Sequence, residues 1–70
     1  MKKLMSENNK TYVEFTCRLV HETEKAFLIN YNTAEDCWIP KSQIESFEFL
    51  PGSEISLIIP EWLAEKKDIV

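Results

Sequence analysis

The feature that most constrains this chain is a strict two-residue alternation between Tyr12 and His21. Val13, Phe15, Cys17 and Leu19 fall on one side of an extended backbone, and Tyr12, Glu14, Thr16 and Arg18 on the other. A helix would scatter those apolar positions around its circumference, whereas a strand turns successive side chains to opposite faces. The chain is therefore expected to build on a strand with one buried face. By the same parity, His21 is expected at the strand's end, packing partly on the core.

The residues that follow carry strands and turns in quick succession. His21-Glu22-Thr23-Glu24 reads as a polar turn, and residues 25–31 as a second strand, apolar on both faces and paired antiparallel with the first. Asparagine and aspartate give residues 32–36 turn chemistry. Cys37-Trp38-Ile39 forms a short third strand closed by Pro40, which lacks the N–H a central ladder needs. Lys41-Ser42-Gln43 turns the chain and Ile44 restarts the apolar pattern, with a fourth strand over 44–50 that sets Phe47 and Phe49 on one face. Pro51-Gly52 is a strong turn signal. Residues 54–59 give the fifth strand, alternating Ile55, Leu57 and Ile59 with Ser56 and Ile58.

Residues 60–67 read as a two-turn helix, with proline in the first turn, Glu61 near the positive end and Lys66 and Lys67 near the negative end. So short a helix does not stand alone in water, so Trp62 and Leu63 are expected to dock on the sheet. Five short antiparallel strands and a terminal helix predict a mainly β domain over residues 11–70, a small SH3-like barrel. Closure of a barrel removes the edges that invite aggregation. The alternative, an OB-type barrel, places a helix between its third and fourth strands, where only four residues are available. Residues 1–10 read as a flexible polar leader.

Composition narrows the functions. One glycine in 70 residues leaves no phosphate-binding glycine loop. No apolar run approaches the roughly 18 residues of a membrane span, and the first ten residues lack the apolar core of a signal peptide. Cys17 and Cys37 are expected as reduced, buried thiols of a cytoplasmic protein. With His21 they match no usual zinc spacing, and no cofactor or metal is expected. His21 is the only histidine, no serine lies in a nucleophile motif, and the chain reads as a non-enzyme.

Charge supplies the sharper signal. Between Thr11 and Glu65 stand ten acidic side chains and three basic ones, Arg18, Lys25 and Lys41, for a net charge of −7. Such a body repels phosphate backbones and suits a basic protein surface, such as a nucleic-acid-binding groove. In an up-and-down order Glu35, Asp36 and Glu54 would share one negative edge. With Trp38 and Lys41 they are the expected partner contacts. The alternative is a single-stranded nucleic-acid binder using Tyr31, Trp38, Lys25 and Lys41 as a stacking platform. Against it, most of Tyr12, Tyr31, Trp38, Phe47, Phe49 and Trp62 are expected in the core. Self-assembly into a homo-oligomer is a third possibility.

Three segments carry a resemblance: Glu-Lys-Ala-x-Leu at 24–28, Trp-Ile-Pro-Lys-Ser at 38–42, and Pro-x-Trp-Leu-Ala-x-Lys-Lys at 60–67. On them the chain resembles, over residues 15–67, a group of small, mostly uncharacterised bacteriophage and prophage proteins. Members often carry glycine after the final lysines, where this chain has Asp68. The resemblance implies a phage-type accessory protein and carries over no catalytic residue. Joined to the acidic body, it leads to an expected role on nucleic-acid machinery of the host, including inhibition of a defence complex in the manner of anti-CRISPR proteins.

Overall fold

The computed structural model describes residues 1–6, 10–32 and 35–70. Residues 7–9 of the expected leader and 33–34 of the expected turn lie outside the described residues. In chain order the elements are β1 (Lys2–Met5), β2 (Thr11–Glu22), β3 (Ala26–Asn30), β4 (Cys37–Pro40), a 3-10 turn (Lys41–Gln43), β5 (Ser46–Leu50), β6 (Glu54–Pro60) and α1 (Glu61–Lys66). The protein is mainly β, with antiparallel strands and one short helix at the C-terminal end, as the alternation implied.

The strand order is β4-β3-β2-β6-β5, with β1 also paired to β2. β2 is the organiser. Its first half pairs with β1 (Val13 opposite Lys3) and its second half with β3 (Arg18 opposite Asn30). β6 runs along its other side from Tyr12–Pro60 to Arg18–Glu54. β1 is a correction, since Lys2–Met5 was expected to be leader and makes the strand count six rather than five. Lys-Lys-Leu-Met has only Leu4 partly buried, so no alternation advertises it.

The alternating residues form the core: Val13, Phe15 and Cys17 of β2 and Ile55, Leu57 and Ile59 of β6, with Phe27, Ile29 and Ile39 between them. Phe27 of β3 meets Phe47 and Phe49 of β5 at ring-centroid distances of 5.1 and 5.9 Å. Those strands are separated by two others, about 14 Å along a flat sheet, so the sheet is curled over its core. Among the described residues no ladder joins β4 to β5, so the hydrogen-bonded circuit has a seam there.

A bulge between Leu19 and His21 resets which face the end of β2 presents. His21 is therefore exposed, opposite Leu28 and 6.5 Å from the ring of Trp38, rather than on the core side as parity implied. The two strand-ending prolines sit where no ladder bond is lost. Lys41 N–H donates to the Lys25 carbonyl at 2.8 Å. Antiparallel ladders alternate bonded and non-bonded pairs, so Ala26–Pro40 is non-bonded and the Pro40 nitrogen faces away from β3. Leu19 N–H donates to Ser53 at 2.8 Å, which by the same alternation turns the Pro60 nitrogen away from β2.

α1 ends in a left-handed residue, Asp68, at φ 58°. Ile69 N–H donates to the Ala64 carbonyl at 2.8 Å and Asp68 N–H to Glu65 at 3.1 Å. This is the Schellman arrangement, which favours glycine at the left-handed position. Leu63, Ala64 and Ile69 are buried, while Trp62 is 55% exposed, contrary to the expectation that it docks on the sheet.

Candidate partner-binding groove

Tyr12 and Pro60 face one another at the end of the β2–β6 ladder, and Pro60 is also the residue from which α1 starts. Helical geometry advances about 100° per residue. With Leu63 and Ala64 turned inward, Glu61, Trp62 and Glu65 remain on the side facing away from the core. The chain leaving the 3-10 turn brings Ile44 and Glu45 alongside, held by a 2.8 Å bond from Glu45 N–H to the Ile58 carbonyl. These pieces enclose an open groove of about 530 Å³. Tyr12, Ile44, Pro60 and Trp62 form its apolar walls, Glu45, Glu61 and Glu65 supply three carboxylates, and Lys10 supplies one ammonium.

Besides Lys10, a second ammonium reaches the edge of this groove. Lys3 Nζ of β1 contacts Glu61 Oε2 at 2.8 Å. The hydrogen bond and charge of Glu61 raise the Lys3 pKa, Glu65 adding to the effect and a small desolvation opposing it. The groove sets an exposed indole and a tyrosine beside three carboxylates; ring faces attract cations, and long charged side chains pack their stems on apolar walls.

The residues expected to contact a partner are distributed differently. Asp36 accepts a 3.0 Å hydrogen bond from Asn30 Nδ2. Asn30 stands opposite Arg18, and Arg18 opposite Glu54. Asp36 and Glu54 therefore lie at one end of the sheet, but with a cation and an amide between them. Glu35 is exposed next to Asp36. The continuous negative edge expected from Glu35, Asp36 and Glu54 is in fact a mixed row. Trp38 is 44% exposed on the outer face.

Lys41 is half-buried and already engaged by neighbours in its own chain. Its Nζ lies 2.6 Å from Glu22 Oε2 and 4.8 Å from the centroid of the Phe27 ring. The nucleic-acid platform likewise does not assemble. Tyr31 packs on the buried ring of Phe15 at 5.0 Å, whereas Trp38 stands on the opposite face of the sheet. The expectation that most of the six candidate aromatics are core is also corrected. Phe47, Phe49, Trp38 and Trp62 are exposed and Tyr12 and Tyr31 half-buried; the core aromatics are Phe15 and Phe27.

Burial pushes the Cys17 thiol up to about 12, with the neighbouring Cys37 and Glu54 adding to it, and raises Cys37 as well. Both cysteines are free. Among the described residues no group of three or more His, Cys, Asp or Glu could hold a metal ion, and no helix is long and apolar enough to cross a membrane. No protein-family model matches the chain, and no curated protein or solved structure matches it.

Proposed function

We propose that the protein is a non-enzymatic binding module whose groove between β2 and α1 takes a basic segment of another protein. Its partner is a component of nucleic-acid machinery, whose Lys- and Arg-rich surfaces complement the groove's three carboxylates and the chain's net charge of −4. In a phage setting, that role includes blocking a host defence complex. The observation that carries this reading is the gathering of Trp62, Tyr12, Glu45, Glu61 and Glu65 around one groove, with Lys3 already seated on Glu61.

Fluorescence titration tests it directly. Trp38 and Trp62 are the two tryptophans, so a Trp38→Phe background makes the signal that of Trp62. A flexible peptide of alternating glycine and arginine should quench it, more weakly as salt rises. Glu61→Gln with Glu65→Gln should weaken binding roughly tenfold, about 1.4 kcal/mol. Single-stranded oligonucleotide should leave the signal unchanged. Oligonucleotide quenching, or peptide binding indifferent to the double substitution, would refute the reading.

A further inference from the structure

We propose that the free edge of β5 is a strand-addition site for an extended segment that alternates apolar and basic residues. It is a second surface, independent of the groove.

The ladder phase shows what this edge offers. The bond from Leu19 N–H to the Ser53 carbonyl continues the β2–β6 register. Alternation then places Cys17–Ile55, Phe15–Leu57 and Val13–Ile59 in bonded pairs. On β6, the backbone groups of Glu54, Ser56 and Ile58 consequently turn toward β5, in agreement with the bond from Glu45 N–H to the Ile58 carbonyl. Ser46, Glu48 and Leu50, which face those residues, bond inward. Phe47 and Phe49 are left with their N–H and C=O groups directed at the open edge, and β5 is the last strand in the order.

The same two residues carry the exposed apolar surface. Phe47 is 47% and Phe49 54% exposed, although both stand opposite fully buried residues, Leu57 and Ile55. Their rings pack at 5.4 Å from each other and against Phe27. Natural edges are commonly protected by proline, lysine or a covering element. β4 has Pro40 on its edge; β5 has neither proline nor lysine between Ser46 and Leu50. A strand laid here would extend the sheet and cover both phenyl rings, a known mode of peptide capture.

Glu48 decides the occupant. In the self-pairing that uses all four free backbone groups, Phe47 of one copy faces Phe49 of the other, which brings Glu48 directly opposite Glu48. Like charges in that position are destabilising. A foreign strand with lysine or arginine opposite Glu48, and apolar residues opposite Phe47 and Phe49, satisfies the same geometry with the charge reversed.

The test uses the full chain and a seven-residue, end-capped peptide alternating valine and lysine, followed by amide hydrogen exchange. Exchange at Phe47 and Phe49 should slow at least tenfold at saturation, and that at Glu48, already bonded to β6, should change little. The valines fall opposite the phenylalanines in bonded pairs, so N-methylation of the valines should abolish protection and N-methylation of the lysines should preserve it. Glu48→Lys should switch the preference to a valine–glutamate peptide, and Trp62→Ala should leave the protection intact. No protection at millimolar peptide would overturn the proposal. So would equal binding of the two methylated peptides, or a dimer of the free protein paired through β5.

Discussion

Phe27 joins β3 to β5 across the curl of the sheet, and replacing it with leucine isolates what the ring contributes. Leucine keeps much of the apolar volume, so the fully buried site stays filled. What disappears are the tilted contacts with Phe47 and Phe49 and the Lys41 ammonium over the ring. Aromatic pairs contribute about 0.5–1.5 kcal/mol each beyond buried area, and an exposed cation–π contact about 0.5–1 kcal/mol. Phe47 and Phe49 are half solvated, so the lower end applies to each ring pair, and with the cation–π contact the sum is about 1.5–2 kcal/mol. A domain of this length has a total stability of roughly 4–10 kcal/mol, so the variant should remain folded. Urea denaturation should show the midpoint falling with little change in slope, and Tm should drop by about 6–15 °C. Lys41→Met, alone and combined with Phe27→Leu, completes a double-mutant cycle. Its coupling should be favourable by about 0.5 kcal/mol. A Phe27→Leu cost under about 0.5 kcal/mol with zero coupling would show that closure rests on area alone, and would refute the reasoning.

Three further outcomes follow from the geometry. Asp68→Gly should stabilise the protein by about 0.5–1 kcal/mol in thermal melts, because glycine adopts the left-handed conformation without the Cβ clash. Cys17 should resist alkylation at pH 8, and Cys37 should react first. Between about pH 9 and 12 the unfolded thiol ionises while the buried one stays protonated, so stability should fall as pH rises, a slope that Cys17→Ala should flatten. Ile44→Asp, which puts a charge where an apolar side chain packs on the core, should cost about 1–3 kcal/mol. Pro40→Gly should cost about 0.5–1 kcal/mol through the added freedom of the unfolded chain; denaturation curves unchanged by both substitutions would contradict the architectural role of this corner.

The strands from β2 to β6 were legible because alternation states which residues share a face. It does not state what covers that face. Phe47 and Phe49 have the inward parity of core residues, yet they lie on the last strand of the order, where no further strand among the described residues covers them. His21 was misplaced because a bulge, which leaves no mark in composition, shifts parity by one. Lys41 looked like a surface cation, but strand register sets it diagonally beside Phe27, whose partner on β2 is Glu22. The groove was half legible: Pro60-Glu61-Trp62 was readable as a helix start, and Glu61 and Glu65 as neighbours one turn apart. That Trp62 stays outside followed from Leu63 and Ala64 filling the available interior, which is a matter of packing rather than pattern. The acidic edge failed for a simpler reason, since sheet order places Arg18 between its members.

The long ladder between β2 and β6 has a consequence for how the protein is made. It joins Tyr12 to Pro60, residues 48 positions apart, so the central pairing of the sheet is also among its most distant in sequence. Contacts of that separation form late and slow folding. While the chain is being synthesised from its N-terminal side, β2 can pair with β1 and β3 but has nothing along its other side until residues 54–60 emerge. Until then the emerged chain carries an uncovered strand with the apolar face of Val13, Phe15 and Cys17 exposed. The β2–β6 zipper, and with it the groove that Tyr12 and Pro60 share, forms only once residues 54–60 have emerged.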